Sequence, residues 1–218
     1  MNLNNYVEII SLIVALIFYK SLSRYKAFTY FIPFLVITCI IEIYTIGKER
    51  HLKNLVYNNF LIVQYAFYSI LFYKNLHLPK LKRIILIFFP VFLCFFLINL
   101  FFLDGFYVYN NYTSILGSFF IVIFVCFYFY EAIIPQKSAH GRLLSNPFFW
   151  VAVGVLVFRL GSVSVFAMFK FLSSIDLQNK GLLIFQTIIK SLNVILYLSF
   201  SLAFILCRNS KKTSSSPS

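Results

Sequence analysis

Acid is scarce in this sequence. Asp and Glu together occur six times in 218 residues, and all charged residues make up 11% of the chain. A soluble domain carries about 25% charged and about 45–50% apolar residues. With 61% hydrophobic residues and a mean hydropathy of +0.88, this chain is excluded from the soluble globular enzymes. Disorder is excluded on the same ground, because disordered segments are poor in apolar residues.

The motifs of common catalytic and metal sites are missing too. The four cysteines, Cys39, Cys94, Cys126 and Cys207, lie in apolar runs and form no CxxC. They read as small hydrophobes, which disfavours structural zinc and a disulfide framework. Neither HExxH, a nucleophile elbow nor a P-loop occurs. The histidines His51, His77 and His140 are scattered over predicted connections. An intramembrane aspartyl protease needs two buried Asp, and Asp104 and Asp176 both fall in predicted connections. No enzymatic activity, cofactor or metal is therefore expected. Residues 1–9 carry no Lys or Arg, so a secretory signal peptide is not evident and the first apolar run reads as a retained span.

What the sequence does hold is a series of apolar runs, near residues 6–20, 28–46, 57–74, 84–103, 112–130, 147–170 and 181–207. Each is continuously apolar, whereas transmembrane strands alternate. A helix satisfies its own backbone in lipid. The predicted fold is all-α: a polytopic membrane bundle of about seven transmembrane helices, one domain over residues 1–207, then a short disordered cytoplasmic tail at 208–218. The first run is the weakest. Ile9 to Tyr19 reaches spanning length only if Tyr6, Val7 and Glu8 lie in the interface.

The net charge of +13 would suggest nucleic acid in a soluble chain. Here basic residues mark cytoplasmic connections that meet anionic lipid, and no direct nucleic-acid binding is expected. Alternate connections carry twelve Lys and Arg on one side against five on the other. The richer side includes Lys20, Lys74, Lys80, Lys82, Arg83 and Arg208; the poorer includes Lys48, Arg50 and Lys53. That imbalance predicts the N-terminus outside and the C-terminus inside, in the cell's inner (plasma) membrane. Asn146-Pro147 should cap and open the sixth span, and Pro90 falls inside the fourth. Asn111-Tyr112-Thr113 is a glycosylation acceptor pattern set very close to the membrane.

Ionisable residues inside spans cost about 2.5–3.5 kcal/mol on insertion scales. Four stand out: Glu8, Glu42, Arg159 and Lys190. Two acids and two bases could neutralise one another. Gln186, Lys190, Asn193 and Tyr197 are spaced for one stripe of the last span, as are Thr38, Glu42 and Thr45 in the second and Tyr57, Gln64 and Tyr68 in the third, with Asn58 beside them. The candidate site is thus Glu8, Glu42, Asn58, Gln64, Arg159, Gln186, Lys190 and Asn193. One reading is an outward-facing polar cavity, with Arg159 and Lys190 attracting an anionic or carbonyl-bearing ligand and Glu42 as counter-charge. The other is a buried ion-pair and hydrogen-bond network that fixes helix packing. Asn99 reads as a bond between helices. Gly154 and Gly161, on one face of the sixth span, and Gly117-Ser118 in the fifth read as close helix contacts.

Glu42 late in span two, Tyr57-Asn58-Asn59 opening span three, Asn146-Pro147-Phe148-Phe149-Trp150 with Gly154 in span six, and Asn193 with Tyr197 in span seven carry a diffuse resemblance. The chain resembles bacterial seven-span integral membrane proteins and the membrane sensor portions of bacterial signalling proteins. That resemblance implies sensing or regulation and no catalytic residue. Sensor portions usually continue into a cytoplasmic output domain, and this sequence ends soon after its last span, so a separate protein partner at the basic cytoplasmic connections is expected. A homo-oligomer stays open. The first alternative is a small transporter or channel, which the apolar inner halves of spans one, two, four and five oppose. The second is a membrane accessory of a bacterial defence system, for example a CRISPR-associated one, or of an envelope system.

Overall fold

The structure is a computed structural model that describes residues 3–209 except 24, 26, 104, 134–142 and 175–177; the side chains of 3, 4, 169–183, 185, 186 and 209 also lie outside the description. Among the described residues the chain is all-helical. The helices are α1 (Leu3–Ile17), α2 (Tyr19–Leu22), α3 (Phe31–Thr45), α4 (Arg50–Asn75), α5 (Pro79–Ile98), α6 (Asn111–Ile133), α7 (Pro147–Ser174) and α8 (Gln178–Asn209). A 3-10 turn, Phe28–Tyr30, leads into α3, and a π turn, Asn99–Leu103, extends α5.

Six segments are long and apolar enough to cross a membrane: Phe28–Thr45, Arg50–Asn75, Pro79–Leu103, Asn111–Ile133, Pro147–Met168 and Thr187–Arg208. The apolar part of α1, Asn5–Ile17, is shorter. A 15-residue helix rises roughly 22 Å, against about 30 Å of hydrocarbon. Tyr19 and Lys20, expected to close this first span, belong instead to α2, beyond a break at Phe18. Several helices outrun the apolar runs that announced them. α4 begins at Arg50 rather than near 57, because a polar turn can continue a helix without adding to the apolar signal. Of the expected tail, Arg208 and Asn209 end α8, and 210–218 lie outside the described residues.

The helices pack as follows. α8 lies along α7 and also against α1; α1 meets α3; α6 touches α4, α5 and α7. Glycine makes the α7–α8 seam close. A Cβ on Gly154 would stand 2.6 Å from Ser199 Cβ, and one on Gly161 would stand 2.7 Å from Leu192 Cδ1. Without a hydrophobic force between helices in lipid, such close van der Waals approach is a main source of association.

The bundle has two ends. Phe28, Phe72, Phe124, Phe148 and Phe204 are all buried at the end that carries the Leu76–Leu78 connection. Phe28 meets Phe148 and Phe204 edge-on, Phe72 meets Phe148, and Phe34 stacks on Phe67 at 3.9 Å. Aromatic pairs of this kind contribute about 0.5–1.5 kcal/mol each beyond burial. Asn146 caps α7 here, its Oδ1 accepting the Phe148 N–H at 3.0 Å, and the Trp150 indole N–H donates to the Leu144 carbonyl at 3.0 Å. The opposite end holds the Ile46–Glu49 and Gly105–Asn110 connections, where Gly47 and Gly105 take φ values of +74° and +76°.

Candidate functional site

Polar side chains gather in three places. The first joins α1, α3, α4 and α8. Glu8 is buried on α1 and Glu42 is half-buried on α3. The Tyr57 hydroxyl donates to Glu42 Oε1 at 3.1 Å and lies 3.2 Å from Thr45 Oγ1. The buried Tyr197 hydroxyl reaches the Glu8 carboxyl, whose Oε2 has no partner, and Glu8 and Glu42 are close enough to feel each other's charge. Each carboxyl has its own tyrosine, and among the described residues neither is paired with a base.

The second lies between α4, α6 and α7. Arg159 is 6% exposed. Its guanidinium carbon sits 4.9 Å from the Tyr68 ring centroid and 5.5 Å from that of Phe158. Nη1 donates to Ser118 Oγ at 3.4 Å and Nη2 to Gln64 Oε1 at 3.5 Å, while Nε has no partner. Charge-assisted bonds are usually about 2.7–2.9 Å, so these hold the cation loosely. A cavity of about 10 Å³ opens beside it, lined by Gln64, Thr113, Ser114, Ser118 and Arg159 with an apolar remainder.

The third ties the Gly105–Asn110 connection to α4. Asn58 Nδ2 donates to the carbonyls of Phe106 (3.2 Å) and Val108 (2.8 Å), and its Oδ1 accepts the Asn110 N–H at 2.9 Å. Asn54 donates to the Tyr107 carbonyl at 2.9 Å. The neighbouring Tyr109 hydroxyl donates to Ser114 Oγ at 3.4 Å. Burial pushes the Tyr109 phenol above its ordinary range, so it stays a neutral donor.

These placements revise the expected network. The acids and bases do not neutralise one another: among the described residues the one ion pair is His51 with Glu49, at 3.3 Å. Glu42 is therefore no counter-charge to Arg159. The reason is which helices meet, since Glu8 faces α3 and α8 while Arg159 faces α4 and α6. Asn58 belongs to the backbone clasp. Gln64 does reach Arg159. Lys190 and Asn193 are half-buried on α8, and the Gln186 side chain lies outside the described residues. The cavity beside Arg159 is walled by α4, α5, α6 and α7, whereas the expected one lay among spans one, two, three, six and seven. Asn99 is a bond between helices, its Nδ2 donating to Thr113 Oγ1 at 3.0 Å. Of the glycosylation pattern, Thr113 is wholly buried and the acceptor Asn111 is exposed.

Sequence reasoning missed several participants. Thr113, Ser114 and Ser118 share a face of α6, a signal present in their spacing around Gly117. Glu131 was overlooked because the fifth apolar run ends just before it; it is buried, and its two oxygens accept the backbone N–H groups of His77 (2.8 Å) and Leu78 (2.6 Å). Among the described residues no group of three His, Cys, Asp or Glu could hold a metal.

Comparison with protein-family models, with curated proteins and with solved structures finds no match.

Proposed function

We propose that this is a multi-pass membrane sensor or regulatory protein that responds through its two buried polar groups and acts on a separate protein partner. In this reading α1 is a seventh span with Glu8 toward the outer face, the N-terminus is outside, and the basic end with Leu76–Leu78 faces the cytoplasm in a bacterial inner membrane. The observation that carries the reading is the separation of a buried acid from a buried base. Glu8 and Arg159 are 3% and 6% exposed, each keeps an unpartnered polar atom, and neither forms an ion pair. A network that served packing alone would pair them, because an uncompensated buried charge costs several kcal/mol. The dense aromatic packing at the basic end speaks against a continuous solute path.

The partner surface in this reading includes Lys80, Lys82 and Arg83 at the start of α5. Affinity purification of the tagged chain from its native membrane in mild detergent tests it. A stoichiometric protein partner should co-elute, and its recovery should fall when these three are replaced by Gln. A chain that elutes alone or only with itself contradicts the reading.

A further inference from the structure

We propose that the cavity beside Arg159 is a binding site for one small monovalent anion of the halide class. This names the ligand for the arginine half of the polar core and rests on that part of the functional reading, though not on the partner.

The argument is a count of donors. Thr113 Oγ1 accepts from Asn99, Ser114 Oγ accepts from Tyr109, and Ser118 Oγ accepts from Arg159. Each hydroxyl therefore has its own proton left to give, and no hydrogen bond that uses it is found among the described residues. Arg159 Nε–H is a fourth donor without a partner. The four residues that carry these donors line one cavity of about 10 Å³, which holds one water-sized body. A water accepts two hydrogen bonds and must place two protons of its own. The two side-chain acceptors nearest the guanidinium, Ser118 Oγ and Gln64 Oε1, each already take one bond from it. A water accepts two of these four donors at most; a halide has no such limit and carries no protons.

Charge points the same way. Arg159 is buried with no ion pair among the described residues, and a bound anion supplies the missing counter-charge. Thr113 and Ser114 lie in the first turn of α6, whose dipole favours negative charge. The helix end is secondary; the unpartnered, buried guanidinium makes the site. Its size sets the class, because a carboxylate or phosphate would need side chains to move.

Thermal unfolding of the full chain in lipid nanodiscs tests the proposal, with sodium chloride replacing sodium gluconate at constant ionic strength. The unfolding midpoint should rise saturably with chloride. The rise should vanish in Arg159→Gln, and its half-saturation should move at least about tenfold higher in Ser118→Ala, the value of one hydrogen bond to a charged group. Should Arg159→Gln fail to fold, Ser118→Ala and Ser114→Ala carry the same comparison. Equal midpoints in chloride and gluconate would mean a water-filled site and overturn the proposal, as would a rise that the variants leave unchanged. Partner recovery is read separately, so loss of the anion response with the partner still co-eluting removes this inference alone.

Discussion

Arg159 lies on the face of Tyr68, its guanidinium carbon 4.9 Å from the ring centroid, and forms no ion pair with Glu42. The tyrosine ring takes part of the place a carboxylate would hold. A cation over a desolvated aromatic face gains about 2 kcal/mol, less than the cost of burying an unpaired charge. Tyr68→Leu should therefore remove a support of Arg159 and lower stability by about 1–2 kcal/mol, whereas Tyr68→Phe, which keeps the ring, should cost less. Thermal unfolding of the two variants in nanodiscs checks the order.

The α7–α8 seam makes a steric prediction. Gly154→Val and Gly161→Val place carbon within 3 Å of Ser199 and Leu192. Each should destabilise the bundle by about 1–3 kcal/mol, the usual range for overpacking. Gly161→Val should be the milder, because Leu192 presents flexible side-chain ends while Ser199 presents its Cβ. Unfolding midpoints in detergent would decide the order.

Asn58 holds three backbone groups of the Gly105–Asn110 connection. Asn58→Ala should strand them, at about 1–3 kcal/mol for each group that stays buried. The local signature is faster amide exchange at Asn110 and faster proteolysis of this connection, with amides deep in α7 and α8 unchanged.

Glu131 joins α6 to the α4–α5 connection through two backbone amides. Glu131→Gln keeps one acceptor oxygen and Glu131→Ala keeps none, so the Ala variant should lose more stability, by about 1–3 kcal/mol. Equal losses would show that packing, not hydrogen bonding, sets the value of this side chain.

Much of the architecture was legible in the residues. Continuous apolar runs announced every long helix, and Asn146-Pro147 marked the start of α7 because an N-cap and a first-turn proline are local chemistry. Gly154 and Gly161 announced the seam because only a missing side chain permits that approach. The candidate site was legible only in its members. Glu8, Glu42 and Arg159 could be picked out by their cost in lipid, but their partners depend on which helices adjoin, and no motif encodes that. So Asn58 could be set beside the Tyr57, Gln64 and Tyr68 stripe, but not given the bonds it makes to the Gly105–Asn110 connection. Glu131 was missed because hydropathy ends a segment where the first carboxylate appears, although the helix continues.

The orientation follows from charge and is testable by itself. Lys48→Cys should be labelled in intact cells by a membrane-impermeant thiol reagent, and Lys80→Cys only after permeabilisation. The reverse pattern would place the basic end outside and contradict the positive-inside reading.

The central claim is that the buried carboxyls and Arg159 occupy separate sites. A double-mutant cycle on Glu42→Gln and Arg159→Gln, read as unfolding free energy in nanodiscs, tests it most directly. Separate sites predict that the two effects add within about 0.5 kcal/mol. A coupling of about 1 kcal/mol or more would mean that the two charges pair in the membrane, and would contradict the account.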